Sequence, residues 1–183
     1  MTLETKTIIL WILASGLVLV FGVRGGAGER IHPHQRRSGL LGLVAASNAV
    51  VAGALVIVGL VSGTLRIHLV QISPLLLVLA LFTSPPQWWG AAAASVLSFW
   101  LVTMAGIWLF LLGLSRFLSG TFSSAEVILT VVIGVASLAG LVAANSKARH
   151  LSPMTSVPIV LVAAGLQSLA LWFSYQPLIM GRG

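Results

Sequence analysis

Residues 65–83 read LRIHLVQISPLLLVLALFT, and how this stretch sits in a bilayer decides the fold. It has the length of a spanning helix, about 20 residues. Unlike its neighbours it also carries Arg66, His68, Gln71 and Pro74. Five other stretches of the 183-residue chain are long and apolar enough to cross: 7–23, 40–61, 91–114, 126–144 and 157–175. Charge asymmetry decides whether 65–83 joins them. Arg24, Arg30, Arg36 and Arg37 precede 40–61, and Lys147 and Arg149 follow 126–144. Every other loop or tail holds at most one basic residue (Lys6, Arg66, Arg116 or Arg182). The positive-inside rule places the two basic loops on one face, which requires an even number of crossings between them. Counting 65–83 as a full crossing supplies that number. The sequence therefore predicts an all-α, polytopic transmembrane helical bundle: six spans with short loops in a single integral membrane domain. Both termini lie outside the cytoplasm, and the expected location is the plasma (inner) membrane.

Composition agrees. Apolar residues make up 58% of the chain and charged residues only 7%, against 25% charged in ordinary soluble domains. The mean hydropathy is +1.07. Six spans leave room for loops and tails only, which excludes a soluble enzyme, a secreted disulfide scaffold, a disordered regulator and a DNA-binding domain. The formal net charge of +7 does not point to nucleic acid, because the basic residues sit in short loops between apolar spans, where topology and anionic headgroups account for them. Without cysteine there is no thiol relay, thiolate metal site or cysteine nucleophile.

Helices in lipid associate through close backbone approach and hydrogen bonds. Small residues recur every fourth position at Ala45, Ala49 and Gly53, at Gly59 and Gly63, and at Ala136, Gly140 and Ala144. Spans 40–61 and 126–144 are thus expected at tight helix contacts or at an oligomer interface. Residues 44–48 (VAASN) and 142–146 (VAANS) look alike, a short match that fits an inverted repeat but that alanine-rich sequence also produces by chance. Trp88 and Trp89, after Pro85-Pro86, read as an interfacial anchor, as do Trp11, Trp108 and Trp172 near span ends.

Chemistry has few places to sit. Arg24, Arg30, Arg36, Arg37, Lys147 and Arg149 are expected to contact anionic lipid headgroups. The Gly-rich loop around them matches no nucleotide-binding spacing. His32 and His34 lack a third metal ligand, so no metal site is assigned. His68 is the candidate cofactor residue, for haem or proton transfer, set against a plain reading as an interfacial histidine beside a snorkelling arginine. The sequence assigns no particular cofactor. Ser123-Ser124-Ala125-Glu126 reads as a capping box, leaving no intramembrane carboxylate pair for acid–base work. No catalytic constellation assembles.

The uncharged polar residues Asn48, Gln71, Ser73 and Gln167, with Pro74, suit a polar pathway or ligand pocket; the plainer alternative is a kinked helix held to its neighbours by side-chain amides. Three functions follow from this pattern. The leading one is a non-catalytic subunit or accessory component of a larger membrane complex, whose partners are the lipid bilayer and other membrane subunits or further copies of itself. The second is a small channel or transporter for a neutral or apolar solute. The third is a membrane enzyme or haem protein acting on lipid or quinone.

Overall fold

A computed structural model describes residues 33–81, 86–115, 121–148 and 152–180. All regular structure among them is helical: α1 (Pro33–Val61), α2 (Leu65–Gln71), α3 (Ser73–Ala80), α4 (Pro86–Leu111), α5 (Ser124–Ala148), α6 (Pro153–Ser174) and α7 (Pro177–Met180). Among the described residues four stretches have the length and apolarity to cross a membrane: Gly39–Val61, Trp88–Leu111, Ser124–Asn145 and Met154–Ser174. The chain is a multi-pass integral membrane helical bundle.

The expected six full spans are corrected here. The third is a short apolar helix, Leu65–Ala80, made of the seven residues of α2 and the eight of α3 with Ile72 between them. At 1.5 Å per residue it extends about 24 Å, short of a hydrocarbon core of about 30 Å. Its limits have local causes. Gly63 adopts φ +68°, and its amide and that of Thr64 bond back to the Leu60 and Gly59 carbonyls, which stops α1 and starts the return. Pro74 then removes one bond of the backbone ladder, that to the Val70 carbonyl. The expected span 7–23 lies outside the described residues.

Helix ends elsewhere follow the same logic. Gly113, at φ +72°, closes α4 with bonds from its amide to Phe110 and from Leu114 to Leu109. Ser123 and Glu126 form the expected capping box: the Ser123 amide donates to Glu126 Oε2 at 2.7 Å and the Glu126 amide to Ser123 Oγ at 3.3 Å.

The centre of the bundle is α4, where every residue from Trp89 to Trp100 is buried. A helix apolar on all sides belongs inside, and Gly90 with Ala91–Ala94 lets neighbours approach its backbone. Its principal neighbour is α5, which also packs along α1. These contacts set direction. Ser47 of α1 and Leu97 of α4, each near mid-helix, meet Gly140 in the second half of α5. Toward the other end Trp108, late in α4, donates to Thr130 Oγ1, early in α5, at 3.0 Å, and His68, packed on Gly59 near the end of α1, lies within electrostatic reach of Glu126 at the start of α5. Both pairs are antiparallel, so the start of α1, with Arg36 and Arg37, and the end of α5, with Lys147, share one end of the bundle. Leu65–Ala80 runs back antiparallel to α1 and finishes beside the first turns of α4, where the Trp89 indole donates to the Val78 carbonyl. Trp89 is 1% exposed and is a core residue, which corrects its reading as an interfacial anchor; Trp88, 49% exposed, keeps the outward position. Outward faces are apolar, as Ile128, Val131, Val135, Leu138 and Val142 show on α5.

Candidate functional site

Small-residue spacing has different outcomes on the two helices that carry it. On α5, Gly140 is buried, and a Cβ built there would lie 2.6 Å from Ser47 Cβ and 2.7 Å from Leu97 Cδ1. Only glycine lets α5 come this close to α1 and α4. On α1, Ala49 and Gly53 face outward instead, with nothing near a Cβ at Gly53. Gly59 makes the close approach, its Cβ position lying 2.9 Å from Leu65 Cα and 3.1 Å from His68 Cβ. Of the expected ridge Ala45, Ala49, Gly53, only Ala45 packs against the core; Ala49 and Gly53 do not pack within the bundle. The look-alike stretches 44–48 and 142–146 lie on α1 and α5, the two helices that meet at Gly140.

Of the expected polar residues, the structure brings Gln71, Ser73, Pro74 and Gln167 together at the bend of Leu65–Ala80 against α6. Proline at 74 offers no amide to the carbonyl four residues earlier, that of Val70. Ser73 Oγ donates to that carbonyl at 2.7 Å. The adjoining Gln71 carbonyl accepts from Gln167 Nε2 at 3.4 Å. Gln71 Nε2 in turn donates to Ser174 Oγ at 3.1 Å, and Ser174 Oγ donates to the Leu171 carbonyl at 2.7 Å. Gln71, Gln167 and Ser174 are buried, at 5%, 0% and 0% exposure. These bonds join α2 to α6. Ser174 completes the cluster and sequence reasoning missed it, although its seven-residue spacing from Gln167 puts both on one helix face.

Asn48 does not join the cluster through a hydrogen bond. Its Nδ2 donates to the Val44 carbonyl of its own helix at 2.9 Å, and its Oδ1 has no partner among the described residues. The same holds for Ser98 Oγ, Ser137 Oγ, Trp100 Nε1 and Gln167 Oε1, all buried. Interior polarity is thus uncharged and incompletely paired, and each unmet group costs about 1–3 kcal/mol. Ser95, by contrast, bridges α4 to α6 by donating to the Val160 carbonyl at 3.2 Å.

His68 is half-buried against Gly59 at the α1–α2 turn. Its Nδ1 lies 3.1 Å from both Thr64 Oγ1 and the Thr64 carbonyl, which orients the ring locally. Among the described residues no group of three His, Cys, Asp or Glu is placed to hold a metal ion. Of the basic residues expected at headgroups, Arg36 and Arg37 fall in the first turns of α1 and Lys147 in the last turn of α5. Arg24, Arg30 and Arg149 lie outside the described residues, as do His32 and Trp11.

Comparison with protein-family models, with curated proteins and with solved structures finds no match.

Proposed function

We propose that this chain is a non-catalytic subunit or accessory component of a larger membrane complex, and that the lipid-facing side of α1 is where a neighbouring helix docks. One observation carries the reading. Gly39, Gly42, Ala46, Ala49 and Gly53 form a stripe at alternating three- and four-residue spacing, and all five are exposed. A Cβ at Gly39, Gly42 or Gly53 would meet nothing within 4 Å. Lipid tails gain nothing from glycine, whereas a second helix gains close backbone contact from such a stripe. Native mass spectrometry after mild extraction tests this. A fixed stoichiometric complex with another chain supports it, a homo-oligomer moves the same stripe to self-association, and a stable monomer overturns it.

The second reading, a channel or transporter for a neutral or apolar solute, draws on the Gln71–Gln167–Ser174 cluster at a proline bend. Uptake into liposomes that Gln71→Leu and Gln167→Leu both reduce would favour it over the subunit role.

In topology, we infer that Leu65–Ala80 completes a crossing although it is short, its ends reaching the headgroup region by local thinning of the bilayer. With 7–23 as a further crossing, six passes place both termini outside the cytoplasm, in a plasma (inner) membrane. The shared end of Arg36, Arg37 and Lys147 supports this frame through the positive-inside rule. Terminal tags that read cytoplasmic would overturn it.

A further inference from the structure

We propose that the membrane-facing groove between Leu65–Ala80 and α6 is a binding site for an anionic phospholipid, one acyl chain lying in the groove and the phosphate resting on Arg66. The groove has a volume of about 460 Å³, with Val70, Pro74 and Leu77 on one wall and Leu166, Ala170 and Phe173 on the other. Pro74 and Ser73 both line it, just after the break between α2 and α3 at Ile72. Ser73 does not make the groove polar, since its hydroxyl is committed to the Val70 carbonyl at 2.7 Å.

Charge complementarity names the occupant. Arg66, Val70, Ser73 and Leu77 follow one another at spacings of four, three and four, so they share one helical face. The ladder carries that phase across the bend, with the Ile72 amide bonding to His68 and the Leu76 amide to Ile72. Arg66 is exposed and sits one turn beyond the groove, beside the α1–α2 turn and hence at headgroup depth. His68, two residues on, turns instead toward Gly59 of α1. An apolar groove between two membrane helices, with Arg66 one turn beyond its lining, matches a lipid with a negative phosphate head and an apolar tail. Arginine engages phosphate through two parallel N–H donors, which a zwitterionic headgroup screens with its own ammonium. The proposal rests on the membrane reading alone and is independent of the subunit role.

The test is native mass spectrometry of the delipidated full chain titrated with phosphatidylglycerol or with phosphatidylcholine of identical chains. Arg66→Gln is expected to weaken one phosphatidylglycerol adduct about fivefold, the effect of removing one surface cation. Phosphatidylcholine binding should stay the same, and Arg66→Lys should retain most of the preference. Ala170→Phe, which fills the groove, should remove that same adduct, and the double variant should lose no more than Ala170→Phe alone. Two separate adducts lost in the double variant, or phosphatidylglycerol binding unchanged in Arg66→Gln, would overturn the proposal. If Ala170→Phe fails to fold, Leu169→Trp replaces it. Leu169 lines the groove at 61% exposure, so a larger side chain there leaves the packed core alone.

Discussion

The α5 interface with α1 and α4 and the α6 interface with Leu65–Ala80 hold helices together by different means. At Gly140 the Ser47 and Leu97 side chains press onto bare backbone, and cohesion comes from close packing that any side chain there would block. At Gln71 the helices stay further apart, bridged by amides and a hydroxyl, with a groove left open to lipid. Close packing fixes a geometry and leaves no space for a ligand. Both interfaces bury polar groups, Asn48, Ser98 and Ser137 on α1, α4 and α5 and Gln71, Gln167 and Ser174 on α2 and α6, but the cavity lies at the second, so it is the region suited to binding. The lesson is that in this bundle close packing and open space are segregated to different helix pairs.

The sharpest way to break this contrast is substitution at glycine. Gly140→Leu should lower stability by about 3 kcal/mol, the upper end for overpacking, while Gly53→Leu on the open face of α1 should leave thermal unfolding of the isolated chain in detergent unchanged. Equal losses would show that the small residues of α1 and α5 play one role. The polar interface is probed by a double-mutant cycle of Gln71→Leu and Ser174→Ala. A coupling of about 1 kcal/mol is expected for an interhelical bond in lipid, and none is expected between Gln71 and Asn48, which share no hydrogen bond.

The bend offers a further test. Ser73→Ala should cost about 1 kcal/mol by uncovering the Val70 carbonyl, and the cost should vanish in a Pro74→Ala background, where an amide can take that carbonyl. A cost that persists would mean the serine acts in another way. Smallest of all is Glu126→Gln, expected to change stability by about 0.3 kcal/mol, because a glutamine still reaches the Ser123 amide; loss of folding would assign the carboxylate a larger role.

Much of this was legible from residue patterns, and the exceptions share a cause. Apolar runs located α1, α4, α5 and α6, since length and hydropathy are what a bilayer selects. The Ser123–Glu126 spacing located a cap because that geometry is local. Hydropathy does not distinguish burial in lipid from burial in protein. Ala49–Gly53 and Gly140–Ala144 have the same spacing, yet one pair faces outward and the other is packed. Trp89 looked like its neighbour Trp88, but only tertiary structure shows that its indole reaches the Val78 carbonyl. Gln71 and Gln167 were visible as misfits in apolar runs, whereas Ser174 at the end of α6 resembled an ordinary helix terminus.

The central claim, that the outward stripe of α1 receives another protein helix, is tested most directly by a photo-cross-linking residue placed in native membranes. At Ala49 it sits in the stripe; at Val135 it sits on the exposed apolar face of α5. The account predicts a discrete cross-link to a second protein chain from position 49 and lipid adducts alone from position 135. Lipid adducts alone from both positions would contradict it.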